Sequence, residues 1–345
     1  MFDNDLWKYC TQEQVRETLR GFDLLRGVKI REEKYFSCLY AVSNHTEQHY
    51  RSVEIPKKGG GTRKLLAPDY LLGRIQKNIL HHVLAELPVS AYAKAYQPHT
   101  SILDNARPHA GARQILKLDM KGFFDHISYF LVYRYAFPAI YYPPAVRTIL
   151  ANLCCYQDML PQGAPTSPAV SNLVMKPFDE YMGNWCRKRQ IQYTRYCDDM
   201  TFSGEFDSRE VKKKVRGFLA SYGLELNEKK TRVQRKCQRQ TVTGIVVNER
   251  PRVSRAYRRK LRAEIYYCRK YGVESHLQRC VETGGVATLQ TDERACMQYL
   301  QGLLGKINYV LQVEPEDWEF QQAKKVVQEM IKLEKSQKRE SALVY

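Results

Sequence analysis

The 345-residue chain reads as an α+β protein whose strands stop near residue 250 and give way to helices. Three observations carry that reading. Short apolar runs of strand type alternate with helical periods as far as residue 247. The pair Asp198-Asp199 sits between two such runs, as the tip of a hairpin would. After residue 250, three helical stretches follow one another without a strand between them.

In chain order, residues 11–42 read as two helices, the first opened by a capping box from Thr11 to Gln14 with Val15 and Leu19 on one face. Residues 50–56 and 63–67 read as strands around the basic turn Lys57-Lys58-Gly59-Gly60-Gly61. From 69 to 87, Leu72, Ile75, Ile79, Leu80, Val83, Leu84 and Leu87 keep a helical period. Residues 114–118 form a short strand that runs into Asp119, and 167–187 carry Val170, Val174, Phe178, Met182 and Trp185 at helical spacing. Strands at 191–196 and 200–203 flank Cys197-Asp198-Asp199; a helix at 207–222 and short strands at 224–226 and 241–247 follow. The late helices are 255–271, 291–313 and 318–335. In the first of them Tyr257, Leu261 and Ile265 make an apolar stripe, and Arg255, Arg258, Arg259 and Arg262 a cationic face that is either solvated or turned to phosphate.

Composition narrows the partner. With 55 Lys and Arg against 37 Asp and Glu the net charge is +18, which points past a merely soluble basic surface to nucleic acid or an anionic membrane, nucleic acid first. No apolar run approaches the roughly 18 residues that span a bilayer, and the opening MFDNDLWKYCTQ lacks a signal peptide's basic start, so the expectation is a cytoplasmic protein with no membrane partner. The ten cysteines include no CxxC pair and the eight histidines no HExxH; a zinc site is not expected.

Adjacent carboxylates on a tight hairpin repel unless a cation lies between or beside them. Hard oxygen ligands select magnesium or manganese, and Asp119 at a strand end supplies a third carboxylate for a two-ion site. Two such ions would suit nucleotidyl transfer. An Asp-Asp pair alone is also a common surface turn, so its surroundings decide.

Those surroundings resemble reverse transcriptases. Tyr196-Cys197-Asp198-Asp199 is similar to the YxDD box, Leu118-Asp119-Met120-Lys121-Gly122-Phe123-Phe124 to the first-aspartate motif, and Leu160-Pro161-Gln162-Gly163-Ala164-Pro165-Thr166-Ser167-Pro168 to the PQG motif, in the family's order. Thr62-Arg63-Lys64-Leu65 and Leu224-Glu225-Leu226-Asn227-Glu228-Lys229-Lys230-Thr231 extend the likeness over residues 50 to 250. Asn105-Ala106-Arg107-Pro108-His109 and Val242-Thr243-Gly244 resemble the NAxxH and VTG elements of the retron branch.

The resemblance implies a right-hand polymerase: fingers over 1–112, a ferredoxin-like palm with the carboxylates over 113–250, and a helical, RNA-binding thumb over 251–345. It implies Asp119, Asp198 and Asp199 as the catalytic ligands of two magnesium ions, with manganese as a substitute. Arg63 and Lys64 would grip the triphosphate, Phe124 would crowd the sugar 2′ position, Gln162 and Gly163 would touch nucleotide and template, and Lys230, or its neighbour Lys229, would protonate the leaving pyrophosphate. Asn105, His109, Val242, Thr243 and Gly244 would serve the template RNA, joined by Arg255, Arg258, Arg259 and Arg262.

The implied activity is copying part of a structured noncoding RNA from deoxynucleoside triphosphates, starting at a guanosine 2′-hydroxyl of the same RNA. The product would be branched RNA-linked single-stranded DNA (msDNA), made in antiphage defence with an accessory effector protein. The residues after 250 leave room for a thumb but not for maturase, endonuclease or ribonuclease H domains, so a host ribonuclease H would remove the RNA. Competing readings are a group II intron-like or diversity-generating reverse transcriptase and a non-catalytic RNA-binding scaffold.

Overall fold

The computed structural model describes residues 6–56, 60–282 and 293–343. Lys57, Lys58 and Gly59 of the basic turn, and the start of the helix expected from 291, lie outside the described residues. The chain forms two compact units, one of residues 1–108 and 113–235, the other of 109–112 and 236–345.

In the first unit, α1 (Gln12–Gly21) opens with the capping box read from the sequence: the Gln14 N–H donates to Thr11 Oγ1 at 3.3 Å, and the Thr11 N–H to Gln14 Oε1 at 2.9 Å. After α2 (Tyr35–Asn44), β1 (Tyr50–Pro56) and β2 (Thr62–Pro68) pair as an antiparallel ribbon. The helix expected over 69–87 is α3 (Tyr70–Ile79), capped by Asp69, and it relaxes into a wider π-helical turn over Leu80–Leu84. Next come α4 (Ile102–Ala106), β3 (Gln114–Asp119), α5 (Phe123–His126), α6 (Tyr129–Leu131) and α7 (Pro144–Cys154).

The long helix α8 (Ser167–Arg187) buries Val170, Val174, Phe178 and Met182, the stripe its spacing implied; Trp185 is only half-buried. It packs against β4 (Gln192–Tyr196), which turns into β5 (Asp199–Gly204). Each large apolar side chain buried on that stripe contributes about 1.5–3 kcal/mol. After α9 (Ser208–Ser221), β6 (Arg232–Arg235) completes an antiparallel sheet in the order β4-β5-β3-β6. The strand expected at 224–226 is a single bridge, Leu226 to Met120. β6 went unread because Arg-Val-Gln-Arg is charged and exposed, the composition of an edge strand.

The second unit holds a small hairpin, β7 (Thr241–Val242) and β8 (Ile245–Val246), where one longer strand was expected. The Gly111 N–H donates to the Val247 carbonyl at 2.9 Å, so the short 109–112 stretch joins this hairpin. Four helices follow: α10 (Arg255–Tyr271), α11 (Val273–Glu282), α12 (Glu293–Val313) and α13 (Trp318–Leu343). Three were expected. α11 begins one residue past Gly272, whose φ of +85° ends α10 and hides the restart. Leu261, Leu300, Leu303, Ile307, Val310 and Phe320 form the buried interior. Among the described residues no helix is long and apolar enough to cross a membrane.

Candidate active site

β3 and β5 run antiparallel with Asp119 directly opposite Asp199, and the β4–β5 connection is only Cys197-Asp198. That connection is strained. Cys197 has φ +59°, a left-handed conformation that non-glycine residues adopt at a cost. The backbone around it is pinned: the Met120 N–H donates to the Asp198 carbonyl at 3.1 Å, and the Asn227 N–H to the Asp119 carbonyl at 2.8 Å. The Tyr96 hydroxyl donates to Cys197 Sγ at 3.3 Å, a contact across 101 residues that no local pattern announces.

The three carboxylates are poorly compensated. Asp119 is buried; its Oδ2 accepts from Lys230 Nζ at 2.8 Å, while its Oδ1 is shielded from water without any protein donor. Burial, then the charge of Asp119, raises the Asp198 pKa. Burial, then the charge of Asp198, pushes Asp199 up to about 6. Both shifts express negative charge held out of water. Among the described residues no three acidic, histidine or cysteine side chains converge on one point as ligands of an ion. Instead the Lys230 ammonium balances Asp119, and that hydrogen bond is the first cause of its own raised pKa. The donor set is all carboxylate oxygen, with one buried oxygen open, and so fits a hard divalent cation better than zinc.

Lys230 stands on the short turn Glu228–Lys230, and Glu228 is held by Lys212 and Arg216 of α9. Arg63 and Lys64 are exposed on β2. The PQG loop docks on the same strand: the Leu66 N–H donates to the Gln162 carbonyl at 2.8 Å. Gly163 has φ +125°, and a Cβ there would stand 2.8 Å from the Leu66 carbonyl oxygen. The close approach that demands glycine is therefore to the chain's own backbone. Phe124 is half-buried on α5, against the main core.

The residues assigned to RNA divide by exposure. Asn105, His109 and Val242 are buried and offer a ligand no side-chain surface in this conformation; burial pushes His109 down to about 3. Thr243 and Gly244, with φ of +46° and +85°, form the two-residue turn of the β7–β8 hairpin and reach the surface. On α10, Arg258 pairs with Glu314 at 3.5 Å and with Asp317, and Arg262 pairs with Glu319; both stack over the Phe320 ring. Arg255 and Arg259 are exposed on the same helix.

Residues 55–247 match the family described as reverse transcriptase (RNA-dependent DNA polymerase). That stretch is more than half of the chain, and it sets the class: a right-hand polymerase in which Asp119, Asp198 and Asp199 lie on the matched segment. The chain is 37% identical over 252 residues to the Retron Mx65 reverse transcriptase of Myxococcus xanthus, covering 66% of this chain and 58% of that protein. It is 31% identical over 265 residues to the Retron Ec86 reverse transcriptase of Escherichia coli, covering 74% of this chain and 81% of that one. With the Retron Ec83 reverse transcriptase of Escherichia coli it shares 30% identity over 228 residues, 61% and 72% of the two chains. The chain belongs to the retron reverse transcriptases.

Proposed function

We propose that this chain copies part of a structured noncoding RNA into DNA, with two magnesium ions, or manganese, held by Asp119, Asp198 and Asp199. The observation that carries the reading is the cross-strand pair Asp119–Asp199 with Asp198 beside it and a buried Asp119 oxygen lacking any donor. Bound there, the cations would supply neutralisation of phosphate charge and acidify the attacking sugar hydroxyl.

The chain's own groups do the rest. Arg63 and Lys64 grip the triphosphate of a deoxynucleotide, the first as a planar fork and the second as a point charge. Phe124 offers a ring to the sugar and disfavours a 2′-hydroxyl. Gln162 and Gly163 line the template and nucleotide side. Lys230, its ammonium next to the carboxylates, is the proton donor to the departing pyrophosphate. Thr243, Gly244, Arg255 and Arg259 meet the RNA by their exposed atoms, while Asn105, His109 and Val242 shape the segments that bear it.

Kinship with retron enzymes supports the finer reading: priming from a 2′-hydroxyl of the template RNA, a branched RNA-linked DNA product, a host ribonuclease H, an accessory effector and a role in antiphage defence. Purified protein given its adjacent noncoding RNA, magnesium and deoxynucleotides should yield DNA covalently linked to RNA. Asp198→Asn should lower that yield on the order of a thousandfold or more, because a metal ligand is lost. Equal product from both proteins, or none from the wild type with its own RNA, would refute the reading.

A further inference from the structure

The polymerase reading leaves one buried charge pair of the first unit without a role. Arg195 and Asp179 are both 0% exposed. Arg195 Nε donates to Asp179 Oδ1 at 2.9 Å, and its Nη2 donates to Oδ2, a two-pronged contact. Its remaining edge faces elsewhere: Nη1 donates to Asn172 Oδ1 at 3.2 Å and to the carbonyl oxygen of Cys197 at 3.0 Å. The Tyr193 hydroxyl gives Asp179 another donor at 2.8 Å, and Asn172 Nδ2 is tied to the Ala95 carbonyl at 2.8 Å.

Such a pair is a poor way merely to hold a core, because apolar side chains of the same volume are often as stable or more so. What an apolar group could not do is donate to the Cys197 carbonyl. That carbonyl belongs to the peptide joining Cys197 to Asp198, and fixing its plane fixes the direction in which the Asp198 side chain departs. Support is needed there, since Cys197 is left-handed at φ +59°. The guanidinium is rigid and planar, and both Asp179 and Asn172 come from α8, the longest helix packed on the sheet.

We propose that Arg195, locked by Asp179 and Asn172, is a positioning residue that holds the Cys197-Asp198 turn in its strained form and so aims Asp198 at the polymerase centre. The proposal rests on the polymerase reading above. Asp179 neutralises the guanidinium, so the effect is one of geometry rather than of long-range charge.

Arg195→Lys leaves a cation for Asp179 but no fork to reach Asn172 and the turn as well. On a primed RNA template with magnesium, kcat should fall on the order of 10- to 100-fold, as for other displacements of reacting groups. KM for the deoxynucleotide should stay near the wild-type value. Tyr193→Phe is the counterpart: it takes a donor from Asp179 but leaves every Arg195 bond, so the melting temperature should drop with kcat unchanged. If Arg195→Lys does not fold, Asn172→Ala, which frees one edge of the guanidinium, should show the same loss of kcat at wild-type KM. A folded Arg195→Lys or Asn172→Ala protein with kcat within about twofold of wild type overturns the proposal. So does a Tyr193→Phe protein that loses kcat to the same degree. An inactive wild type would instead refute the polymerase reading, which separates the two failures.

Discussion

The acidic tip of the palm sheet and the Arg195–Asp179 pair adjoin along β4, and the fold treats their charges in opposite ways. The Asp179 carboxylate, wholly buried, receives Arg195 Nε, Arg195 Nη2 and the Tyr193 hydroxyl. The Asp119 carboxylate, almost as buried, receives one ammonium and keeps an oxygen with nothing. A chain that can surround one carboxylate with donors did not do so for Asp119. The deficit at the tip is what the proposed cations would offset. The same contrast recurs on α10, where Arg258 and Arg262 are spent on Glu314, Asp317 and Glu319 while Arg255 and Arg259 face solvent.

Three further measurements sharpen or break that contrast. Asp179→Ala strands a buried guanidinium and should cost about 3–5 kcal/mol in urea denaturation. Asp198→Asn should cost nothing in cation-free buffer, because it relieves repulsion; equal losses in the two variants would erase the distinction. His109 supplies a middle case, a titratable group buried without charge. Burial lowers it from 6.5 to about 3, so as pH falls the unfolded chain takes up the proton first. Its contribution is fully present above about pH 6.5, and stability should decline below that by about 2 kcal/mol at pH 5. His109→Gln should flatten this part of the pH profile, and an unchanged profile would assign the loss to other groups. The smallest effect concerns α10. Arg259→Ala should reduce the salt dependence of RNA binding by about one slope unit, as for one lost phosphate contact. Arg258→Ala should leave that slope alone and lower the melting temperature.

The carboxylates were legible in the sequence because each sits in a contiguous box whose flanking residues also set the local backbone: an apolar strand before Asp119, a two-residue turn before Asp199. α8 and α10 were legible because their apolar residues recur at the helical period, and the β1–β2 ribbon because its two runs flank a glycine-rich turn. Arg195 and Asp179 were not. They stand 16 residues apart, each plausible as a surface charge, and only the packing of α8 on β4 joins them. Exposure was illegible too: nothing in the types of Asn105 and His109 says that they are interior, and only the packed structure shows them buried. At Gly163 the backbone comes close to the chain's own Leu66, a tertiary fact that no local pattern carries.

The chain's excursion through residues 109–112 has a practical outcome for anyone who would dissect or recombine it. Because Gly111 is bonded to Val247, the hairpin that begins the later unit is completed by residues encoded more than a hundred positions upstream. A fragment that starts at 236 lacks that piece, and one that stops at 235 carries it without its companion. Helical portions exchanged among relatives would therefore have to travel as two separate gene segments, with 109–112 moving alongside everything after 235.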